Sequence, residues 1–359
     1  MIVKSLKDIS WKVTEAEYRQ DAALSYSTLS RFEREGFSKL NSLFDRVATP
    51  SLTFGSIVDA LITGTLSEFE DNFYIMDDIG DISETQKSIV ATLFDIHKDA
   101  KSLVSITNEE ILDTCKQFNY GNNWKDITKI NLIRTNGTKY FKALRESDGK
   151  TAITMDEYLL AKKCVDSLKE SDTTKFFFFD NPFDESNDYI ERLYQLKFKG
   201  EDPDLHIPYR CMLDLIVVDH KNKTIQPVDL KTSSHFEYEF PESFIQWEYQ
   251  IQARLYYRIL EQNVLKDPYF KDFKILDYKF IVINKNSRIP LVWDFEKTKT
   301  IGNLQLQGGK SHKDFTLRDP YVIGNELSEY LKSTPIVPNG INIGEGKSNS
   351  IENWIKECG

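Results

Sequence analysis

Two apolar stretches joined by a short polar turn lie in the middle of this chain. Residues 208–218 and 224–231 are rich in Val, Ile and Leu, and the polar run 219–223 between them is typical of a turn. The sequence therefore predicts a β-hairpin built from two apolar strands. Of the 359 residues, 40% are hydrophobic and 13% are aromatic, which excludes a disordered chain. The hairpin is expected to belong to a folded core.

The segments around this hairpin predict a mixed α/β fold. Further strands are expected where apolar residues alternate or form short runs, at 176–179, 189–198, 278–283 and 290–295. Helices are expected where apolar residues recur at helical spacing, at 14–46, 51–62, 154–171, 244–262, 324–332 and 351–356. The helix at 154–171 opens with Thr154-Met-Asp-Glu157, which is close to a capping box. The pattern between 66 and 150 mixes short helical repeats with polar loops and predicts no definite element.

The chain shows no internal repeat and no low-complexity linker. We nevertheless distinguish three parts: a mainly helical segment 1–175, a core 176–300 and a C-terminal helical extension 301–359. Because no linker separates them, we favour one integrated domain over three separate ones.

Composition and terminal sequence suggest the cellular setting. No apolar run approaches the ~20 residues that a membrane helix needs, and the first residues lack a signal peptide's apolar stretch. A cytoplasmic protein without a membrane partner is therefore expected. The cysteines form no Cys-x-x-Cys pair, so a zinc ribbon is not expected and burial as small apolar residues is, for Cys115, Cys164, Cys211 and Cys358.

The net charge of −10 argues against a protein that coats nucleic acid by charge alone. Local contact with DNA stays open, because basic residues are frequent between Lys125 and Lys150. These side chains form either a DNA-binding patch or a scattered, solvated surface, and the sequence does not decide between the two.

The predicted hairpin brings two aspartates and a lysine together. With its turn centred near Lys221, Val218 faces Ile225 and Asp214 faces Asp229. Opposed side chains on adjacent strands lie about 4.5–5.5 Å apart at Cβ, and two carboxylates this close repel each other. Lys231 points to the same face as Asp229 because side chains alternate along a strand. A divalent cation would relieve the repulsion, and the lysine could orient a water for attack on a phosphate.

Two observations weaken this interpretation of the hairpin. An acid two residues before a lysine is a common pattern that recurs at least six times in the chain, for example at 219/221 and 277/279. The alternative is a solvent-facing polar stripe in which Lys231 only pairs with the acids. Pro227 could also shift the register by one residue, because proline prefers strand edges and bulges.

Two further features fit the same site. Gln252 and Tyr256 lie one helical turn apart and would share a face, where they could contact a phosphate or support a metal site. Asp59 lies inside an apolar helical segment, where aspartate is a poor helix former. A buried acid there would favour a cation, although ordinary packing and a surface-facing aspartate remain alternatives.

Taken together, these motifs resemble the PD-(D/E)XK nuclease superfamily, specifically its RecB-type branch and the exonuclease VIII-like proteins of phages and prophages. The resemblance spans roughly 22–295 and thins between 66 and 140. It is carried by four stretches in order: Phe54-Gly-Ser-Ile-Val-Asp-Ala-Leu61, Ile207-Pro-Tyr-Arg-Cys-Met-Leu-Asp214, Pro227-Val-Asp-Leu-Lys-Thr-Ser233 and Tyr249-Gln-Ile-Gln-Ala-Arg-Leu-Tyr-Tyr257.

The resemblance implies an α/β fold with a restriction-endonuclease-like core, a small mixed sheet flanked by helices, and a helical N-terminal elaboration. It implies Mg²⁺ or Mn²⁺ as cofactor, a catalytic lysine at Lys231 and an auxiliary pair at Gln252 and Tyr256. The implied metal ligands are Asp59, Asp214, Asp229 and the Leu230 carbonyl. In this branch the first of these positions is often histidine, so Asp59 leaves the preferred metal open.

The function implied is resection of double-stranded DNA ends by an exodeoxyribonuclease during phage-type recombination in a bacterial host cell. Its implied partners are DNA, a single-strand annealing protein and further copies of the chain. A structure-specific or restriction-type endonuclease and a non-catalytic DNA-binding protein remain alternatives, as does a chance match in an unrelated α/β protein.

Overall fold

The computed structural model describes most of the chain, namely residues 4–37, 40, 43–44, 49–64, 66–178, 188–296, 304–308 and 313–333. Two compact units divide it. The first, which we call the sheet unit, comprises the described residues of Met1–Asp59 and Cys164–Gly359, and the second, the helical unit, those of Ala60–Lys163. The boundaries expected at 175 and 300 are not those of the compact units. Helices from both ends of the chain pack on the sheet, so the sheet unit is not contiguous in sequence.

A six-stranded mixed sheet forms the centre of the sheet unit. Its strands are β3 (Ile190–Glu201), β4 (Pro208–Asp219), β5 (Thr224–Ser233), β6 (Lys274–Ile275), β7 (Tyr278–Asn284) and β8 (Pro290–Phe295). Their main order is β3-β4-β5-β7-β8, and β6 pairs with β5. Neighbouring strands are antiparallel except that β5 runs parallel to β6 and β7. The expected mixed α/β fold is confirmed, as are the strands expected between 189 and 295.

The register of the central hairpin is the expected one. Val218 lies opposite Ile225, and the pairing continues to Leu215 and Val228. Pro227 stands within this ladder opposite Ile216 and does not shift it. The register follows from the apolar pattern, because a slip of one residue would turn every buried side chain to the other face.

The helix expected over 14–46 is interrupted in the structure. Helix α1 (Glu15–Gln20) is separated from α2 (Tyr26–Glu35) by an extended segment around Leu24. The Leu24 amide donates to the Pro208 carbonyl (3.0 Å), and the Arg210 amide donates to the Leu24 carbonyl (2.9 Å). Leu24 forms a β-bridge with Tyr209 on β4, outside the segment Leu215–Asp219 that pairs with β5. This long-range pairing explains why the helix is interrupted.

The helix expected over 244–262 is two helices, α10 (Phe240–Gln246) and α11 (Tyr249–Lys266). They are separated by Glu248, which has a left-handed backbone with φ of +56°. The Trp247 carbonyl accepts the Tyr26 hydroxyl (2.7 Å), which ties the break to α2. Residue type does not predict a left-handed backbone at a position that is not glycine. The sequence pattern therefore indicated one continuous helix across Glu248.

Two other expectations differ from the structure. The phenylalanine run expected to be a strand starts a short helix, α9 (Lys175–Phe178), which buries Phe177 and Phe178; Phe179 lies outside the described residues. The C-terminal part, expected to be a helical extension, contains the antiparallel strands β9 (Leu304–Gly308) and β10 (Lys313–Leu317) before α12 (Pro320–Ser333), which agrees with the helix expected at 324–332. The short helix expected at 351–356 lies outside the described residues.

The main core lies between the sheet and helices α2, α11 and α12. Tyr209 on β4 is fully buried, and Gly324 lies on α12. A Cβ atom added at Gly324 would overlap the Tyr209 hydroxyl and lie 2.9 Å from its Cζ. The absence of a side chain at Gly324 therefore permits the close approach of α12 to β4.

Gly324→Ala is expected to lower the free energy of unfolding by about 1–3 kcal/mol, because the new methyl group overfills this contact. Urea denaturation monitored by circular dichroism would measure the change. Adding Tyr209→Phe removes the overlapping hydroxyl and should restore part of the lost stability. An alanine variant as stable as the wild type would contradict the packing described here.

The helical unit contains α4 (Leu66–Asn72), α5 (Glu84–Ile96), α6 (Asn108–Gln117) and α7 (Asp126–Glu146), with a parallel pair of strands, β1 (Phe73–Met76) and β2 (Thr151–Thr154). Its core includes Ile89, Leu93 and Ile133. Gly137 lets α7 approach α5, since a Cβ there would lie 2.6 Å from a Val90 methyl group. This region, for which the sequence predicted no definite element, is mainly helical.

Helix α3 (Pro50–Thr63) and α8 (Met155–Glu170) agree with expectation, including the capping box of α8. The Glu157 amide donates to the Thr154 hydroxyl (3.1 Å), and the Thr154 amide donates to the Glu157 carboxylate (2.8 Å). Three cysteines, Cys115, Cys164 and Cys211, are buried free thiols as expected, and Cys358 lies outside the described residues. Among the described residues, no helix is both long enough and apolar enough to cross a membrane.

Candidate active site

Asp214 and Asp229 lie at the point where the ladder between β4 and β5 ends. The register that pairs Leu215 with Val228 would next bring Asp214 opposite Asp229. At this point the Leu230 amide donates instead to the Asp214 carboxylate (2.9 Å). Asp229 is completely buried, whereas Asp214 keeps partial exposure to solvent. The hairpin therefore brings both acids to one place, as the sequence predicts.

Lys231 contacts Asp229 directly. Its Nζ atom lies 2.6 Å from Asp229 Oδ2 and donates to Gln252 Oε1 on α11 (3.1 Å). Gln252 in turn donates its Nε2 hydrogen to Asp229 Oδ1. One ion pair and two hydrogen bonds thus join three side chains from β5 and α11 into a ring. Lys231 was expected on the same face as Asp229, and Gln252 was expected near the site; the ring agrees with both expectations.

The electrostatics of Lys231 are dominated by its acidic neighbours. Burial by itself would lower the pKa of Lys231, but the carboxylate of Asp229 raises it above its ordinary value, with a smaller contribution from Asp214. Lys231 is therefore an ammonium group at neutral pH. Its Nζ atom also lies 4.8 Å from the centre of the Tyr249 ring, a cation–π contact that further favours the charged form.

Helix α3 brings Asp59 to the same site. A Cβ atom at Gly55 would lie 3.3 Å from the Thr232 hydroxyl on β5, so the helix approaches the strand closely where it has no side chain. Asp59 lies one turn further along α3, and its carboxylate accepts a hydrogen bond from Gln195 Nε2 (2.5 Å). The spacing Gly-x-x-x-Asp in the sequence therefore has a structural reason: the glycine admits the helix and the aspartate follows on the same face.

The three carboxylates influence one another. Burial raises the pKa of Asp59 to about 6, and the negative charge of Asp229 contributes. Burial also raises the pKa of Asp214 well above its usual range, with contributions from Asp229 and then Asp59. Raised pKa values are expected where several carboxyl groups lie close together in a partly buried site and a single lysine balances their negative charge.

Tyr256 and Leu230 differ in their relation to this cluster. Tyr256, one turn beyond Gln252, is buried and packs edge to face on Tyr26 with ring centres 6.5 Å apart. The catalytic role implied for Tyr256 stays a prediction. Leu230 contributes its amide to Asp214, and the metal-ligand role implied for its carbonyl stays a prediction.

Two residues of this cluster were not identified from the sequence. Tyr249 appeared only as an apolar helix position, although its spacing of three residues from Gln252 places both on one helix face. Gln195 is a strand glutamine with a left-handed backbone, φ of +52°, and its sequence gave no signal.

Most of the basic residues between 125 and 150 have partners within the helical unit. Lys129 pairs with Asp126 (2.8 Å), Arg134 donates to the Ile106 carbonyl (2.9 Å) and Lys139 pairs with Asp78. Arg145 and Lys150 also donate to backbone carbonyls. These contacts favour scattered charge over a patch reserved for DNA.

The donor chemistry of the cluster suits a hard divalent cation. Three carboxylates and one ammonium leave an excess of negative charge, and carboxylate oxygens are the ligands that Mg²⁺ and Mn²⁺ prefer. Both oxygens of Asp229 are contacted, Oδ1 by Gln252 and Oδ2 by Lys231. Asp59 Oδ2 accepts a hydrogen bond from Gln195, and Asp214 Oδ2 accepts one from the Leu230 amide. Across the described ranges, no three His, Cys, Asp or Glu side chains converge closely enough to form a metal-binding group. Binding a cation through Asp229 would therefore require the contact of one of its oxygens with Gln252 or Lys231 to be exchanged.

A scan against models of known protein families finds no family that matches this chain, and a search of characterised proteins finds no matching relative.

Proposed function

We propose that this protein is a metal-dependent DNA nuclease that hydrolyses phosphodiester bonds. The observation that carries the proposal is the ring of Asp229, Lys231 and Gln252, to which Asp214 is joined through the Leu230 amide. Lys231 and Gln252 belong to different motifs, are 21 positions apart in the sequence and meet in this ring. The small mixed sheet flanked by helices also supports a restriction-endonuclease-like core.

The roles of the side chains follow from their charges. Asp59, Asp214 and Asp229 would hold Mg²⁺ or Mn²⁺, and the Leu230 carbonyl is a further candidate ligand. A bound divalent cation supplies charge stabilisation and a more acidic water at such a site. Lys231, as a partly buried ammonium, would orient the attacking water and stabilise negative charge on the phosphate oxygens. Gln252 would hold both Asp229 and Lys231 in place through its two amide atoms.

The biological use proposed is resection of double-stranded DNA ends in phage-type recombination, with a single-strand annealing protein as partner. This step rests on the resemblance of the motifs and not on the geometry of the site. An endonuclease of the same chemistry has the same requirement for the acids and the lysine, so the substrate has to distinguish the two.

Purified protein is expected to degrade linear duplex DNA in the presence of Mg²⁺ and to lose this activity completely when EDTA removes the metal. Release of acid-soluble nucleotides measures degradation, and adding Mn²⁺ after EDTA should restore it. A covalently closed circle of the same sequence serves as the matched substrate and should survive. Cleavage of the circle would favour the endonuclease alternative, and binding without hydrolysis in both metals would contradict an enzymatic function.

A further inference from the structure

Gln195 has an unusual backbone in the middle of strand β3. Its neighbours pair regularly with β4, Tyr194 with Leu215 and Leu196 with Leu213, so Gln195 lies opposite Asp214 where the ladder is interrupted. Its φ of +52° belongs to the left-handed region, which a glutamine rarely adopts. A strained residue of this kind persists only where the surrounding structure holds it, and such residues cluster at functional sites.

The side chain of Gln195 explains what this backbone achieves. Its Nε2 atom donates to Asp59 Oδ2 (2.5 Å), so a residue opposite Asp214 on the sheet contacts the acid that α3 contributes. The two carboxylates interact, since the charge of Asp59 helps to raise the pKa of Asp214. Gln195 therefore links the helix-borne acid to the strand-borne acids.

We propose that Gln195 is a positioning residue that holds the Asp59 carboxylate towards Asp214 and Asp229 for divalent-cation binding. This inference rests on the proposed function. An amide suits the position because it donates a hydrogen bond without adding charge, whereas a glutamate would place a fourth carboxylate beside three. Gln195 acts through Asp59 and is not itself assigned a contact with the cation or with DNA.

The backbone geometry provides a variant that separates strain from function. Gln195→Gly accepts a positive φ without steric cost and removes the amide. This variant is expected to unfold at the same temperature as the wild type or higher, and yet to bind Mn²⁺ about 10–100-fold more weakly, the usual loss when a residue supporting a metal ligand is removed. Isothermal titration calorimetry with MnCl₂ measures the affinity of the intact protein, and thermal unfolding measures stability.

Lys223→Gly is the matched control. Lys223 also has a left-handed backbone, φ of +52°, but it lies in the turn between β4 and β5. Its replacement should change thermal stability in the same direction and leave Mn²⁺ affinity unchanged. A similar loss of affinity in this control would show that strain relief itself weakens binding, and would overturn the assignment of Gln195.

A double-variant cycle with Asp59→Asn completes the test. If Gln195 acts through Asp59, the double variant binds Mn²⁺ no more weakly than Asp59→Asn alone. Additive losses, or wild-type affinity in Gln195→Gly, would overturn the inference while leaving the nuclease proposal standing. Wild-type protein that neither binds Mn²⁺ nor cleaves DNA would overturn both.

Discussion

Lys231→Met is expected to slow DNA hydrolysis by about 100- to 1,000-fold at saturating metal, the cost of removing one group that stabilises charge in a transition state. The same substitution is expected to tighten Mn²⁺ binding. The ammonium lies 2.6 Å from Asp229 Oδ2, where it competes with a cation for that oxygen and repels it. Methionine keeps much of the side-chain volume and removes the charge. Rate and metal affinity should therefore change in opposite directions.

Single-turnover cleavage of a labelled duplex measures the rate, and calorimetric titration with MnCl₂ measures the affinity. Lys279→Met is the matched control, because Lys279 is also a strand lysine paired with an aspartate, Asp294. It should leave both quantities near their wild-type values. Asp229→Asn should instead lower rate and affinity together. A Lys231 variant with wild-type rate would remove the catalytic assignment.

The sequence predicted five of the six strands of the sheet, all but the two-residue β6, and the register of its central hairpin, because both follow from local apolar patterns. A two-residue period fixed which side chains of β4 and β5 face the core, and it thereby placed Asp214, Asp229 and Lys231 together. That Gln252 lies near these residues was expected from the resemblance of the motifs, but the ring itself was not. The individual contacts of the ring, and the cation–π contact with Tyr249, could not be predicted from the sequence because they depend on the path of α11 across the sheet.

The features that were not predicted share a physical cause. Glu248 and Gln195 adopt left-handed backbones that tertiary contacts impose, and neither residue type signals such a conformation. The bridge of Leu24 with β4 is likewise a long-range contact that interrupts a locally helical pattern. The helical unit remained undefined because its short helices are stabilised by packing, such as that of Gly137 against Val90, more than by periodicity.

The other large effect is expected near the middle of α11, where two arginines contact one aspartate. Arg254 Nη2 lies 2.8 Å from Asp319 Oδ2, and Arg258 donates to both carboxylate oxygens. Asp319 is completely buried, and its Oδ1 also accepts the Tyr321 amide (2.9 Å) at the start of α12. Arg254 and Arg258 are four residues apart and share one helix face. This ion pair therefore fixes α12 to the helix that carries Gln252.

Asp319→Asn is expected to lower the free energy of unfolding by about 3–5 kcal/mol, because it leaves two largely buried guanidinium groups without their carboxylate. Urea denaturation at pH 7 measures the loss. Asp294→Asn is the matched control, because it removes the largely exposed aspartate that pairs with Lys279. It should lower the free energy of unfolding by about 1 kcal/mol or less. Equal losses in the two variants would contradict the importance given to burial.

The difference in the free energy of unfolding between wild type and Asp319→Asn should decrease at low pH. Burial alone would raise the pKa of Asp319, but its hydrogen bond and charge interaction with Arg258 lower it below the ordinary value. The stabilisation is therefore complete above the unfolded-state pKa of about 3.9 and is lost as the pH falls through the lower folded-state value. The gap between wild type and Asp319→Asn should stay constant from about pH 6 to 8 and narrow only below about pH 4. If the difference in the free energy of unfolding already disappeared between pH 6 and 5, the stabilisation would belong to another group.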